Sequence, residues 1–256
     1  MLRELSMPIL VDFLNDQILE FKEIMLVNQL RGENEKKATA FDEKYQEQFN
    51  AMSAEYARLA LVLWGGFRKL QADKATDTEQ AAAASLLQHT MKTIEASIDL
   101  LRRGYRYQVG MLTRNAVEAI ATVLCITIEP DTLEKVRKGK FESPKAISIA
   151  KRVVPLFGQL YGDLSSNFTH LNIDQFLWDP LLSQKDSTAT EMCIMFAKVS
   201  LVLASLAAEL VFYDQVRPPR FWREIAPDAY TYDPSAETLE WLEVFLRVGV
   251  VRNNTA

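Results

Sequence analysis

Apolar positions recur at three- and four-residue steps through almost the whole chain, the spacing that gathers side chains on one face of an α-helix. Near the start, Pro8 suits a first helical turn, and Leu10, Phe13, Leu14, Ile18, Phe21, Ile24 and Met25 follow in helical register. Gly32 is the expected stop. A long amphipathic helix is predicted from about Lys36 to Ala72, striped by Phe41, Tyr45, Phe49, Met52, Tyr56, Leu59, Leu63, Phe67 and Leu70, with a bend expected at Gly65-Gly66. Thr76 and Glu79 have capping-box spacing and open a third helix. Its stripe is Leu87, Met91, Ile94, Ile98 and Leu101, and Gly104 ends or bends it.

The fourth helix covers about Tyr105 to Thr127 and is apolar on two faces. Leu112, Ala116, Ala119 and Val123 form one; Met111, Arg114, Glu118, Ala121 and Cys125 lie roughly opposite. A helix of that kind belongs at the centre of a fold. Pro130-Asp131 breaks the chain before a short basic helix, TLEKVRKGK. Ser143-Pro144 reads as cap and first turn of the next helix, which Pro155 kinks or splits. Beyond Pro155, Phe157, Leu160, Tyr161, Leu164 and Phe168 share one face, with Asp163, Ser166, Asn167 and His170 opposite. Residues 172–186 read as a loop anchored by Phe176, Leu177 and Trp178, and a core helix follows at 188–214. RPPRFWREIAPDAY reads as a packed connector, and Asp233-Pro234 starts a last amphipathic helix bearing Leu239, Leu242, Phe245 and Leu246, before a frayed tail.

This pattern predicts an all-α fold, an up-and-down helical bundle with long N-terminal helices and an added C-terminal helix. The bundle spans 77–215, the N-terminal helices 1–76, and the connector with the last helix 216–256. Nine glycines and nine prolines in 256 residues argue against a turn-rich β fold. The run from Met192 to Tyr213 approaches the length of a membrane span, but Lys198, Glu209, Ser200 and Ser205 interrupt it, so it reads as a buried core helix. No leader-like stretch opens the chain; a cytoplasmic protein without a membrane partner is the expectation.

The net charge of -5 calls for no strongly charged partner, but its distribution is uneven. Residues 101–155 hold 11 Lys/Arg against 5 Asp/Glu, whereas both flanking segments are acidic. Arg102, Arg103 and Arg106, with Lys135, Arg137, Lys138 and Lys140, form a candidate basic patch that either binds phosphates or pairs with acidic neighbours across the fold.

Several chemistries are excluded. There is no Gly-rich phosphate loop, no HExxH, and no Glu three residues before either histidine. Cys125 and Cys193 lie in separate apolar runs and read as buried small hydrophobes, so no disulfide framework, metal site or cofactor is expected. Two polar clusters within apolar helices remain. Arg114 and Glu118 stand four apart on one helix, as either a buried ion pair fixing the packing or an anion contact oriented by its carboxylate. In the second, LYGDLSSNFTHLN, Tyr161 and Ser165 lie near the apolar side, placed to hydrogen-bond Arg114 or Glu118 across helices. His170, with Asp163, Ser166 and Asn167, is the one good acid–base candidate or else part of a solvated stripe; His89 reads as structural or surface.

LLRRGYRYQVGMLTRNAVEAIATVL followed by LYGDLSSNFTHLN resembles a group of bacterial proteins related to HEPN domains. The likeness covers about residues 85–215 and rests on a glycine before a helix with an Arg-x-x-x-Glu step, Arg114 and Glu118. A later Tyr-x-x-Leu-Ser followed by His adds to it, here Tyr161, Leu164, Ser165 and His170. The resemblance implies a helical bundle, often dimeric, in a superfamily rich in RNA-cleaving toxins and phage-defence components. The Arg-x(4–6)-His motif of catalytic HEPN ribonucleases is absent: Ser165 stands five before His170, and the nearest preceding arginine is Arg152. The expected function is an RNA- or protein-binding module, with a homodimer, RNA or another protein as partner. The alternative is a metal-independent ribonuclease using His170 with Arg114 in a rearranged site.

Overall fold

The structure, a computed structural model, describes residues 9–12, 17–20, 28–75, 77–129, 131–168 and 186–247. The chain is an all-α helical bundle. Two short strands, β1 (Ile9–Asp12) and β2 (Gln17–Glu20), precede the helices. A π-helical turn over Gln29–Glu33 runs into α1 (Asn34–Lys44), then α2 (Gln46–Ala72), α3 (Glu79–Arg102), α4 (Arg106–Ile128) and α5 (Thr132–Arg137). Next come α6 (Ser143–Val153), α7 (Leu156–Phe168) and α8 (Asp186–Val211). A hairpin of β3 (Trp222–Ala226) and β4 (Ala229–Tyr232) and the helix α9 (Ala236–Leu246) end the described chain.

Two helices apolar around most of their circumference form the centre. α4 packs on α3, α6, α7 and α8, and α8 packs on α2, α3, α4 and α9. Both are long and apolar enough to cross a membrane, but 94% of the most apolar window of α8 is buried inside the protein, and 61% of that of α4. Two buried charges of α8 are partnered there: the Lys198 ammonium donates to the Arg247 carbonyl at the end of α9 (2.8 Å), where a cation also suits the helix dipole, and the Glu209 carboxylate accepts backbone N–H groups of the following connector. Two glycines set how closely helices approach. A Cβ on Gly66 of α2 would lie 2.3 Å from the Phe212 ring, and one on Gly110 of α4 would lie 2.3 Å from the Phe168 ring.

The local signals explain the ends of α3. Thr78 caps it, its hydroxyl accepting from the Ala81 amide at 3.1 Å, two residues after the predicted Thr76 cap; Thr76 itself lies outside the described residues. Gly104 at φ +87° closes the other end, with Tyr105 N–H bonding Leu100 C=O and Gly104 N–H bonding Leu101 C=O. Pro155 splits α6 from α7, and Val154 before it is extended, as a residue preceding proline prefers.

Three sequence expectations are corrected. Where a first helix was expected over Leu10 to Met25, β1 and β2 pair antiparallel with Leu10 opposite Leu19 and Val11 opposite Ile18; the apolar, β-branched run Ile-Leu-Val serves a short strand as well as a helix face. Gly32 does not stop a helix but lies in the π-helical turn that continues into α1. The long second helix is interrupted at Tyr45 (φ −117°, ψ 26°), a buried ring packed on Phe41, and the break turns α1 against α3. The connector also holds structure that helical periodicity misses, the β3–β4 hairpin turning at Asp228 (φ +58°). Of the expected loop at 172–186, residues 172–185 lie outside the described residues, as does the C-terminal tail, and Asp186 opens α8 instead.

Candidate functional site

The site predicted from the two polar clusters forms where α4 and α7 run antiparallel. Arg114 Nε donates to Glu118 Oε1 at 3.1 Å along the i,i+4 face of α4. Arg114 Nη2 donates to the Tyr161 hydroxyl on α7 at 3.0 Å, and that hydroxyl donates to the same Glu118 Oε1 at 3.1 Å. The three groups close a ring, and the guanidinium carbon lies 5.2 Å from the Tyr161 ring centroid. The Arg114 and Glu118 side chains are 28% and 21% exposed, so the ring is half-buried at the protein surface. Partial burial works to lower the Arg114 pKa, but the Tyr161 hydroxyl and the Glu118 carboxylate outweigh it and hold it above its ordinary value. Chemically the ring is a crosslink: the tyrosine proton is committed to the carboxylate, and the arginine is aimed at both.

Among the described residues, Asp163, Ser165, Ser166 and Asn167 do not join this ring. Asp163 is exposed, and its backbone carbonyl accepts from Asn167 Nδ2 at 2.7 Å. The Ser166 hydroxyl donates to the Gly162 carbonyl at 2.9 Å. Ser165, expected to reach Arg114 or Glu118, has a buried hydroxyl with no hydrogen-bond partner among the described residues. His170 lies outside the described residues. The end of α7 is nevertheless fixed on α4, because the Tyr107 hydroxyl donates to the Phe168 carbonyl at 3.2 Å and the two rings pack 5.8 Å apart.

The basic patch is largely tied up within the fold. Arg102 makes a fork to Asp42 of α1 and bonds Asp99 at 3.2 Å; Arg103 bonds Asp99 at 2.9 Å and Glu35 at 2.7 Å. Arg106 is buried, its Nε donating to the Thr190 hydroxyl at 2.9 Å. Arg137 pairs with Asp77, and Lys138 with Glu134 at 2.8 Å. Lys135 and Lys140 are exposed. His89 is exposed on α3. Burial pushes the Cys125 and Cys193 thiols up to about 12, so both are unreactive at neutral pH. Among the described residues no group of three or more His, Cys, Asp or Glu is placed to hold a metal ion.

A second cluster, at the far end of α8, was not foreseen. The Glu209 carboxylate accepts three backbone N–H bonds, from Arg220 at 2.9 Å, Phe221 at 2.7 Å and Trp222 at 3.0 Å. Burial pushes its pKa up, against the lowering effect of those three donors. The Trp222 indole adds a bond to the Leu206 carbonyl at 2.8 Å. Arg220 grips Glu55 of α2 through both carboxylate oxygens, at 2.5 and 3.2 Å, and the Glu55 side chain is only 1% exposed. The Arg220 guanidinium lies over the rings of Phe221 and Trp241, 4.8 and 4.7 Å from their centroids. A sequence signal existed: Glu55 falls on the buried stripe of α2, between Met52 and Leu59, where a carboxylate needs a partner.

No protein-family model, curated protein or solved structure matches this chain. The functional reading therefore stands on these two clusters and the surfaces around them.

Proposed function

We propose that the chain is a HEPN-like helical binding module, cytoplasmic and working in phage defence or stress, whose partner is protein and in the first instance a second copy of itself. The observation that carries this reading is the closed Arg114–Tyr161–Glu118 ring, which presents a firm surface instead of a reactive group. Met111 stands three residues before Arg114 on the same helix face and is 52% exposed, an apolar contact beside a rigid polar one. The pairing of Arg102, Arg103, Arg137 and Lys138 with carboxylates favours protein over RNA, since neutralised cations gain little from phosphate.

The ribonuclease reading draws on one contact, the Tyr107–Phe168 bond that ties the end of α7, two residues before His170, to the helix bearing Arg114. Helical rise weighs against it. Phe168 lies seven residues past Tyr161, about 10 Å along the axis from the level of Arg114.

Light scattering on the pure protein tests the proposal, together with incubation of wild type and His170→Ala with labelled structured RNA in the absence of metal. The expected result is a particle of twice the 29.1 kDa chain mass that reverts to the monomer in Met111→Arg, with neither RNA cleavage nor retardation. A wild-type monomer at all concentrations would overturn the self-association. Cleavage by wild type but not by His170→Ala would establish the nuclease.

A further inference from the structure

Beside the unforeseen cluster lies an open cleft of about 550 Å³ between α2, the C-terminal half of α8 and the turn at Val216–Pro218. That volume is in the range of small-molecule sites. Its walls are mostly apolar, lined by Val62, Ala208 and Pro218, with Leu61 and Trp64, 67% and 61% exposed, at the rim. Its polar groups are few and lean cationic. Three arginines line it, Arg58, Arg217 and Arg220, against one carboxylate, Glu209, whose oxygens are occupied by backbone N–H groups.

The three arginines differ in commitment. Arg220 is spent on Glu55. Arg58 only approaches Glu55, at 3.7 Å, and is 62% exposed. Arg217 is exposed; it bonds the backbone carbonyls of Tyr213 and Val216 at 3.0 Å and lies 5.5 Å from the Tyr213 ring centroid, and no carboxylate neutralises it among the described residues. Ser205 also lines the cleft. It is 7% exposed, and its buried hydroxyl has no partner among the described residues, an arrangement that costs stability unless something fills it.

Gly65 is the remaining clue. It sits within the 27-residue helix α2, where glycine is a poor choice. Its neighbour Gly66 is needed because Phe212 occupies the space of a side chain, but a Cβ on Gly65 would meet only Gln215 Oε1, at an ordinary 3.7 Å. Packing therefore does not require glycine at 65. Gly65 lines the cleft, and a side chain there would fill it.

From these features we infer a ligand site, distinct from the α4–α7 face and independent of its reading. The cleft binds a small amphiphilic anion, its head on Arg217 and Arg58 and its apolar body on Val62, Leu61 and Trp64. The shared chemistry of the head is a negatively charged oxyanion, carboxylate or phosphate monoester.

Isothermal titration of the full chain with decanoate and with decyl phosphate, each below its micelle-forming concentration, tests this. Saturable one-to-one binding of at least one is expected, and the tighter of the two identifies the head. Decanol, which keeps the body without charge, and acetate, which keeps a head without the body, should bind at least tenfold more weakly. Arg217→Ala should weaken the anionic ligand about tenfold while leaving decanol unchanged, because Arg217 holds only the head. Gly65→Leu should abolish binding without lowering the melting temperature of the free protein. Absence of saturable binding by both amphiphiles would overturn the inference. So would anion binding at wild-type strength in both Arg217→Ala and Gly65→Leu, which would place the ligand elsewhere.

Discussion

The two arginine–carboxylate clusters solve the same problem to different depths. At the α4–α7 face, Arg114 and Glu118 come from one helix, are about a quarter exposed, and share the Tyr161 hydroxyl of the neighbouring helix. At the far end, Glu55 is 1% exposed and is reached by Arg220 from 165 residues away, while Glu209 collects the N–H groups of three consecutive residues. Water can replace part of the first cluster when a member is lost, but it has no access to Glu55. The lesson is that the cost of breaking an ion pair follows the burial of the partner left behind more than the number of bonds drawn.

The sharpest way to break this comparison is Arg220→Ala, which leaves the buried Glu55 carboxylate with only the longer Arg58 contact among the described residues. It should cost about 3–5 kcal/mol, read from urea unfolding midpoints, and pairing it with Glu55→Leu should recover most of that loss. Arg114→Ala should cost less, about 1–2 kcal/mol, because Glu118 turns partly to solvent. Equal losses at the two sites would refute the burial argument. The smallest effect belongs to the exposed fork between Arg102 and Asp42, whose side chains are 27% and 38% exposed. Hydrogen bonding from Arg102 outweighs burial and holds the Asp42 pKa below its ordinary 3.8. Its stabilisation is therefore present above pH 3.8 and is lost as the pH falls through the lowered folded value. Asp42→Asn should cost a few tenths of a kcal/mol at pH 7 and reduce the loss of stability on that acid limb, seen as a shallower fall in melting temperature below pH 4.

Most of the bundle was legible because helical period and burial are one signal. The stripes of α2 and α3 predicted which faces point inward, and the reading of α8 as a core helix agrees with its burial; on α4 the two named stripes include the exposed Met111 and miss the fully buried Val109, Val117, Ile120 and Leu124. The bond of Tyr161 with Arg114 and Glu118 was legible too, since a hydroxyl beside an apolar stripe needs a partner. Both hairpins were missed for one reason. Strands of four or five residues show too few repeats to separate period two from period 3.6, although the alternation of WREIA and AYTY around Pro227-Asp228 was a usable hint. The pairing of Glu55 with Arg220 was invisible because its sequence separation carries no local pattern. Glu209 was noticed only as a charge costly to a membrane helix, not as an acceptor for the connector that follows it.

The long reach of Arg220 also orders events during synthesis. Glu55 leaves the ribosome 165 residues ahead of its counterion, a lag of about 8–33 s at ordinary elongation rates. Through that interval α2 carries an acid on the face that is core in the finished fold, with the longer Arg58 contact beside it. The bidentate partner of the most buried acid in α2 is therefore among the last parts of the fold to be made.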